Sequence, residues 1–233
     1  MTLKNRIALV TGAGSGIGKE ICRQLAEHGA RVAALDLDLA AAERTAQAVG
    51  GDALALSGNV ADEAQMAAAI ARTVAQFGLR DIAVNAAGVG MSADMVDTTL
   101  AQWQRVMDVC LTGVFVSARA QAAQMLAQGD GGVIVNIAST NSQQAGEGLS
   151  AYCAAKAGVD MLTKVAALEL APHGIRVLAV GPGLTDTPMV ARLLANPVAR
   201  AEFLSNIPLA RPAQPADIAA MVAFLCSDLA GYV

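Results

Sequence analysis

Short apolar runs rich in valine, isoleucine and alanine alternate along the chain with longer alanine-rich stretches whose apolar positions recur at helical spacing. The first pattern predicts buried strands at about 6–11, 31–36, 53–58, 81–84, 132–139 and 174–181. The second predicts helices at about 16–28, 40–49, 62–77, 99–127 and 150–172. In the first helix Ile21, Cys22 and Leu25 form the apolar face, and Gly29 ends it. Regular alternation of strand and helix implies an α/β fold, a doubly wound parallel sheet with helices on both faces. Right-handed crossovers then place the carboxyl ends of the strands along one edge. Gly12, Asp36, Asn59, Asn85, Ser139 and Pro182 each follow a strand, so residues far apart in sequence are expected to share one crevice.

No Pro/Gly/Ser-rich linker divides the pattern, and 233 residues with 55% hydrophobic content suffice for one large core, so 1–233 is expected to be a single domain. A net charge of -4 without a basic cluster gives no support for a nucleic-acid surface. No apolar run approaches the roughly 18 residues that span a bilayer, and the N-terminus enters a strand without a charged-then-apolar leader, so a cytoplasmic protein without a membrane partner is expected. Cys22, Cys110, Cys153 and Cys226 lack metal-like spacing and read as reduced thiols; no metal is implied. Trp103, His28 and His173 read as a packed helix anchor and two helix-end histidines.

The first candidate chemistry lies in Thr11-Gly12-Ala13-Gly14-Ser15-Gly16-Ile17-Gly18, between a strand and a helix. Glycines there let backbone approach a pyrophosphate, free amides at the helix start face it, and the helix dipole favours its charge. Asp36 at the end of the next strand can accept from ribose hydroxyls and would repel a 2'-phosphate, and neither Ser15 nor Leu37 offers a compensating cation. NAD is the expected cofactor.

The second is Tyr152 with Lys156, four residues apart and so on one helix face. An isolated phenol titrates near about 10, and work at neutral pH needs a shift of roughly 3 units, about 4 kcal/mol. A cation about 4 Å away supplies roughly that at an effective dielectric near 20. The pair alone is weak evidence, since Tyr and Lys at helical spacing are most often simply a solvated face; its partners decide.

Those partners occur together. The glycine pattern, Asn85-Ala86-Ala87-Gly88 after the fourth strand, Ser139 before Tyr152, Lys156, and Pro182-Gly183 followed by Thr187 resemble, in this order, the short-chain dehydrogenase/reductase family, from residue 3 to the last residue. The resemblance implies a Rossmann-like fold, with Tyr152 as general acid/base, Lys156 holding the nicotinamide ribose and lowering the tyrosine pKa, and Ser139 bonding the reacting oxygen. It also implies Gly12, Ser15, Gly16, Ile17 and Gly18 as the pyrophosphate loop, with Asp36 and Leu37 at the adenosine ribose. Asn59 and Val60 would border adenine, and Asn85, Ala86 and Gly88 would form the cofactor floor. Pro182, Gly183, Thr185 and Thr187 would hold the carboxamide. The segment at about 185–212, with Met189, Val190, Leu193, Leu194, Phe203 and Leu204 at helical spacing among prolines, resembles the family's mobile lid, although core packing explains the same stripe. Small apolar residues on the helices at 99–127 and 150–172 suit subunit packing, and the resemblance implies a homotetramer.

Three positions and the C-terminal segment depart from the family pattern. Cys110 stands where asparagine is usual; a thiol is a weak donor and acceptor, and impaired proton exchange would make Cys110→Asn faster. The same residue reads otherwise as a tolerated or tuning change, or as a redox-sensitive site. Ser227-Asp228-Leu229-Ala230-Gly231-Tyr232-Val233 resembles the approach to a final strand that the sequence does not contain, either because a tail follows or because the protein is short. Asn59 replaces a common Asp, and Leu178 a common Asn.

The expected activity is NAD-dependent interconversion of a secondary alcohol and a ketone. The polar loop at 140–148 suggests a hydroxylated substrate touching Ser139, Asn141, Gln144, Tyr152 and Met189, or else a solvated loop bonded to itself. The alternatives are reduction of 3-oxoacyl thioesters, which Asp36 opposes, and a catalytically weak NAD-binding scaffold, which Ser139, Tyr152 and Lys156 oppose.

Overall fold

In the computed structural model, which describes residues 1–78 and 81–233, β1 (Ile7–Thr11), β2 (Arg31–Asp36), β3 (Leu54–Ser57), β4 (Ile82–Asn85), β5 (Gly132–Ile137) and β6 (Ile175–Val180) form one sheet. They are almost continuously apolar because layers cover both faces. Every pairing is parallel, in the order β3-β2-β1-β4-β5-β6. The order reverses between β1 and β4, which opens a crevice at their carboxyl ends.

The helices are α1 (Gly16–Glu27), α2 (Leu39–Val49), α3 (Glu63–Phe77), α4 (Leu100–Met107), α5 (Gly113–Gln128), α6 (Ser150–Leu170), α7 (Ala191–Ala195), α8 (Pro197–Ser205) and α9 (Pro215–Cys226). Alternate strand residues sort into two cores. Ala8, Val10, Val32 and Val84 meet Ile21 and Leu25 of α1 and Val222 of α9. Their neighbours Ile7, Leu9, Ala33 and Leu35 face the other way, onto Met66, Ile70 and Phe77 of α3. Ala83, Ile134 and Val177 pack with Met125 of α5 on that side, against Leu170 of α6.

Strand positions agree with the sequence expectation to within two residues, but three helical features differ. The single helix expected at 99–127 contains a π-turn, Asp108–Thr112, between α4 and α5. Helix α9 was not expected, because its mostly apolar run lacks helical periodicity. Segment 188–205 holds a 3-10 turn and two short helices without one buried residue, so core packing does not explain its apolar stripe.

The membrane expectation also needs correction. The continuous helix Leu100–Gln128 does reach the length and mean hydropathy, 1.2, of a bilayer span. Half of that apolar window is buried inside the fold, as in a core helix.

Candidate active site

The glycine loop leaves β1 where the Thr11 hydroxyl accepts from the Ala86 amide at 3.2 Å, tying the loops after β1 and β4 together across the crevice. Gly18 admits no side chain, since a Cβ there would lie 2.1 Å from the Gly12 carbonyl oxygen. Gly14 is excluded from bearing one by Asp36, whose Oδ2 accepts from the Gly14 amide at 2.8 Å. Ser15, the N-cap of α1, makes no side-chain capping bond, so the first-turn amides around Ile17 and Gly18 are left for an external acceptor. Uncapped amides, a loop whose glycines leave no room for side chains and a carboxylate at its rim fit a dinucleotide with an unphosphorylated ribose. Leu37, 74% exposed beside Asp36, brings no cation.

Several residues expected to touch a cofactor have other work. Asn85 is fully buried, and its carboxamide donates to Asn136 Oδ1 at 2.9 Å and Gln121 Oε1 at 3.0 Å. Asn136 continues the chain by donating to Thr163 Oγ1 at 2.9 Å. This buried network ties β4, β5, α5 and α6 together. Val60 belongs to the α3-side core. Asn59 is exposed, and its Oδ1 accepts from the Ala61 amide at 3.0 Å. It lines a cleft of about 440 Å³ with Gln104, Arg105 and Asp108. The Thr185 hydroxyl donates to the Gly183 carbonyl at 3.0 Å and is buried. Pro182 accepts from the Thr140 amide at 3.0 Å, which joins the loops after β5 and β6.

Ser139, Tyr152 and Lys156 come together at the end of β5. The Asn141 amide donates to Ser139 Oγ at 3.1 Å and fixes its direction. Lys156, buried on the same face of α6 as Tyr152, donates to the Ile137 carbonyl at 2.7 Å, with its ammonium 5.7 Å from the Tyr152 ring centroid. Burial pushes the Tyr152 phenol above its ordinary pKa, while a hydrogen bond with Ser139 pulls it down. Burial lowers the Lys156 pKa. The spacing argument counted the lysine alone, whereas its ammonium is also held by a carbonyl and burial acts on the phenol in the opposite direction.

The loop at 140–148 is bonded to itself at its key position. Asn141 Nδ2 donates to the Gln144 carbonyl at 3.1 Å, and Asn141 Oδ1 lies 3.4 Å from the Ser139 hydroxyl. Gln143, Gln144 and Glu147 are exposed. Tyr152, like Val89, Met91, Trp103 and Met107, packs instead against a buried apolar cluster of Val106, Cys110, Ala151 and Ala155.

Cys110 sits fully buried in the π-turn. Its thiol donates to the Val89 carbonyl at 3.4 Å and accepts from the Val89 amide at 3.3 Å. One thiol thus satisfies both backbone groups of the residue after Gly88, and the expectation that it would bond poorly is corrected for this contact. Cys110→Asn is therefore expected to bring no gain in kcat, whereas Cys110→Ala, which strips both bonds, should lower stability by about 1–3 kcal/mol. Urea titration with parallel turnover measurements checks both; a faster Asn variant would restore the idea of impaired proton exchange.

The sequence reading missed Gln121, Asn136 and Thr163. Their signal was available: each is a polar residue at a position where its strand or helix is otherwise apolar.

Comparison with known proteins agrees with this geometry. Residues 12–233 match a family described as enoyl-(acyl carrier protein) reductase. Cyclohexanol dehydrogenase of Acinetobacter sp. (strain SE19) is 41% identical, over 98% of this chain and 90% of its own length. Cis-4-hydroxycyclohexanecarboxylate dehydrogenase of Sinomonas cyclohexanicum is 42% identical, over 98% and 92%. The crystal structure of 3-ketoacyl-(acyl-carrier-protein) reductase from Brucella melitensis complexed with NADH superposes with a TM-score of 0.92 at 35% identity, covering 100% of this chain and 95% of that one. With that match across almost its whole length, and the parallel sheet, glycine loop and Ser139, Tyr152 and Lys156 in place, the chain belongs to the short-chain dehydrogenase/reductase family.

Proposed function

We propose that this chain oxidises compact alicyclic secondary alcohols to ketones with NAD, and catalyses the reverse reduction. The observation that carries the reading is the meeting of Ser139, Tyr152 and Lys156 beside a glycine loop whose rim carboxylate is Asp36. Tyr152 takes the hydroxyl proton in oxidation and returns it in reduction, Ser139 holds the reacting oxygen, and Lys156 supplies a fixed positive charge. When bound, the nicotinamide supplies the hydride acceptor. Gly12, Gly16, Ile17, Gly18 and Asp36 would hold its pyrophosphate and ribose, and the backbone of Ala86 and Gly88 would underlie the ring.

The substrate class follows from the wall. Tyr152 packs on an apolar cluster that also takes Val89, Met91 and Trp103, and Asn141 is bonded to its own loop, so few polar groups are left to replace the hydrogen bonds a polyhydroxylated substrate would lose on entry. Relatives named for cyclohexanol and hydroxycyclohexanecarboxylate support this choice. The thioester reductase remains the second reading, because a relative in fold is a 3-ketoacyl reductase with NADH, so cofactor preference alone does not separate the two. NADH absorbance over a panel of cyclic alcohols, polyols and 3-oxoacyl thioesters does. Cyclohexanol-sized alcohols should give the highest kcat/KM; a preference for thioesters or polyols would reject the reading.

The segment at about 185–212 is the lid of this site, and the exposed apolar residues Met161, Val165 and Leu168 of α6, with Phe115 and Leu126 of α5, form subunit contacts of a homotetramer. Sedimentation equilibrium reads the assembly, and a monomer would refute it. A cytoplasmic location accords with four free thiols, three of them buried.

A further inference from the structure

We infer that Met189 and Gly90 together set the size of alcohol the site admits, Met189 as a movable wall and Gly90 as the gap that seats it; this rests on the proposed oxidation at Tyr152. Val89 and Met91 turn their side chains into the cluster around Tyr152 and Cys110. Gly88 and Gly90 alternate with them and present bare backbone to the lid. A Cβ on Gly90 would lie 3.0 Å from Met189 Cγ and 3.4 Å from its Sδ, and one on Gly88 would lie 4.0 Å from its Cε. The thioether therefore runs lengthwise from Gly90 to Gly88, its methyl toward the floor over Cys110. Gly90 has no positive φ, so its backbone does not require glycine; the space that Met189 fills does.

Met189 is held from behind. Thr185 and Ala213 form a parallel bridge, with the Asp186 amide donating to the Ala213 carbonyl at 2.8 Å and the Ala213 amide to the Leu184 carbonyl at 2.9 Å. Thr187 packs on the glycine loop, its Cγ2 3.2 Å from where a Gly16 Cβ would stand. With its base pinned at both points, the lid leaves Met189 little backbone freedom. Its unbranched side chain, 51% exposed, is what moves. Lying down, it narrows the space beside the floor for a single ring; a fused polycyclic alcohol must displace it.

The test compares kcat/KM for cyclohexanol and for a 3-hydroxysteroid, together with NADH affinity by fluorescence, in the wild type, Met189→Ala, Gly90→Val and the double variant. Met189→Ala should raise the steroid-to-cyclohexanol ratio about 10-fold or more, the scale on which pocket volume discriminates. Gly90→Val should push Met189 and the lid outward and weaken NADH binding about fivefold. Adding Met189→Ala should restore it to within about twofold. An unchanged ratio in Met189→Ala, or a double variant no better than Gly90→Val, overturns the inference. If the wild type oxidises neither alcohol while the NADH coupling appears, the proposed function fails and the contact between wall and gap stands.

Discussion

Tyr152→Phe is expected to lower kcat for alcohol oxidation by about 10³-fold while NADH still binds, because the ring keeps its packing and only the proton-carrying oxygen is lost. Neither neighbour replaces that oxygen. Lys156 is buried with its ammonium on the Ile137 carbonyl, and Ser139 receives the Asn141 amide. The pH dependence has a definite sign. Oxidation requires the phenolate, so kcat/KM for the alcohol should climb with pH through the Tyr152 pKa, and ketone reduction should fall over the same range. Burial holds that pKa above the ordinary phenol value in the protein alone, and the Ser139 bond opposes it. Ser139→Ala should therefore move the rising limb to higher pH as well as slow the reaction. A limb that stays put in Ser139→Ala, or turnover that survives in Tyr152→Phe, would remove the phenol from the proton path.

How much of this was legible in the chain depended on whether a property is local. The strands showed because a parallel sheet covered on both faces needs continuous apolar runs, and the glycine loop showed because its spacing answers to contacts within one strand-turn-helix unit. Gly14 is a case in point: it faces Asp36, only 22 residues on. The π-turn at Asp108–Thr112 was hidden, since the inserted residue only rotates the following face by about 100°, and α5 beyond it, alanine-rich and apolar on several sides, shows no sharp face in which that rotation could be read. Asn85 was misplaced for a different reason. It stands at the carboxyl end of β4, beside the crevice, but the direction of its side chain is decided by Gln121 and Asn136, which reach it from distant elements. The same holds for Cys110, judged by its chemistry alone until Val89 was seen to face it.

Lys156→Met is expected to abolish useful turnover, by about 100-fold or more, and yet to stabilise the fold. The lysine is 3% exposed, and among the described residues its one hydrogen-bond partner is a neutral carbonyl. Desolvation lowers its pKa, which means the folded state disfavours the charged form relative to the unfolded chain. That cost is full below the folded pKa. It fades as pH rises from there toward the ordinary lysine value of about 10.4, where both states become neutral. Methionine fills nearly the same volume without the charge, so near neutral pH the variant should gain about 1 kcal/mol, read as a Tm higher by about 2–4 °C. The advantage should shrink in alkaline buffer. Differential scanning calorimetry at neutral and alkaline pH measures it. A variant less stable than the wild type at neutral pH would show that the bond to Ile137 outweighs desolvation and that the lysine is a structural pin. A stable, inactive variant would show instead that the fold carries this buried cation at a cost to its own stability, for the sake of the phenol beside it.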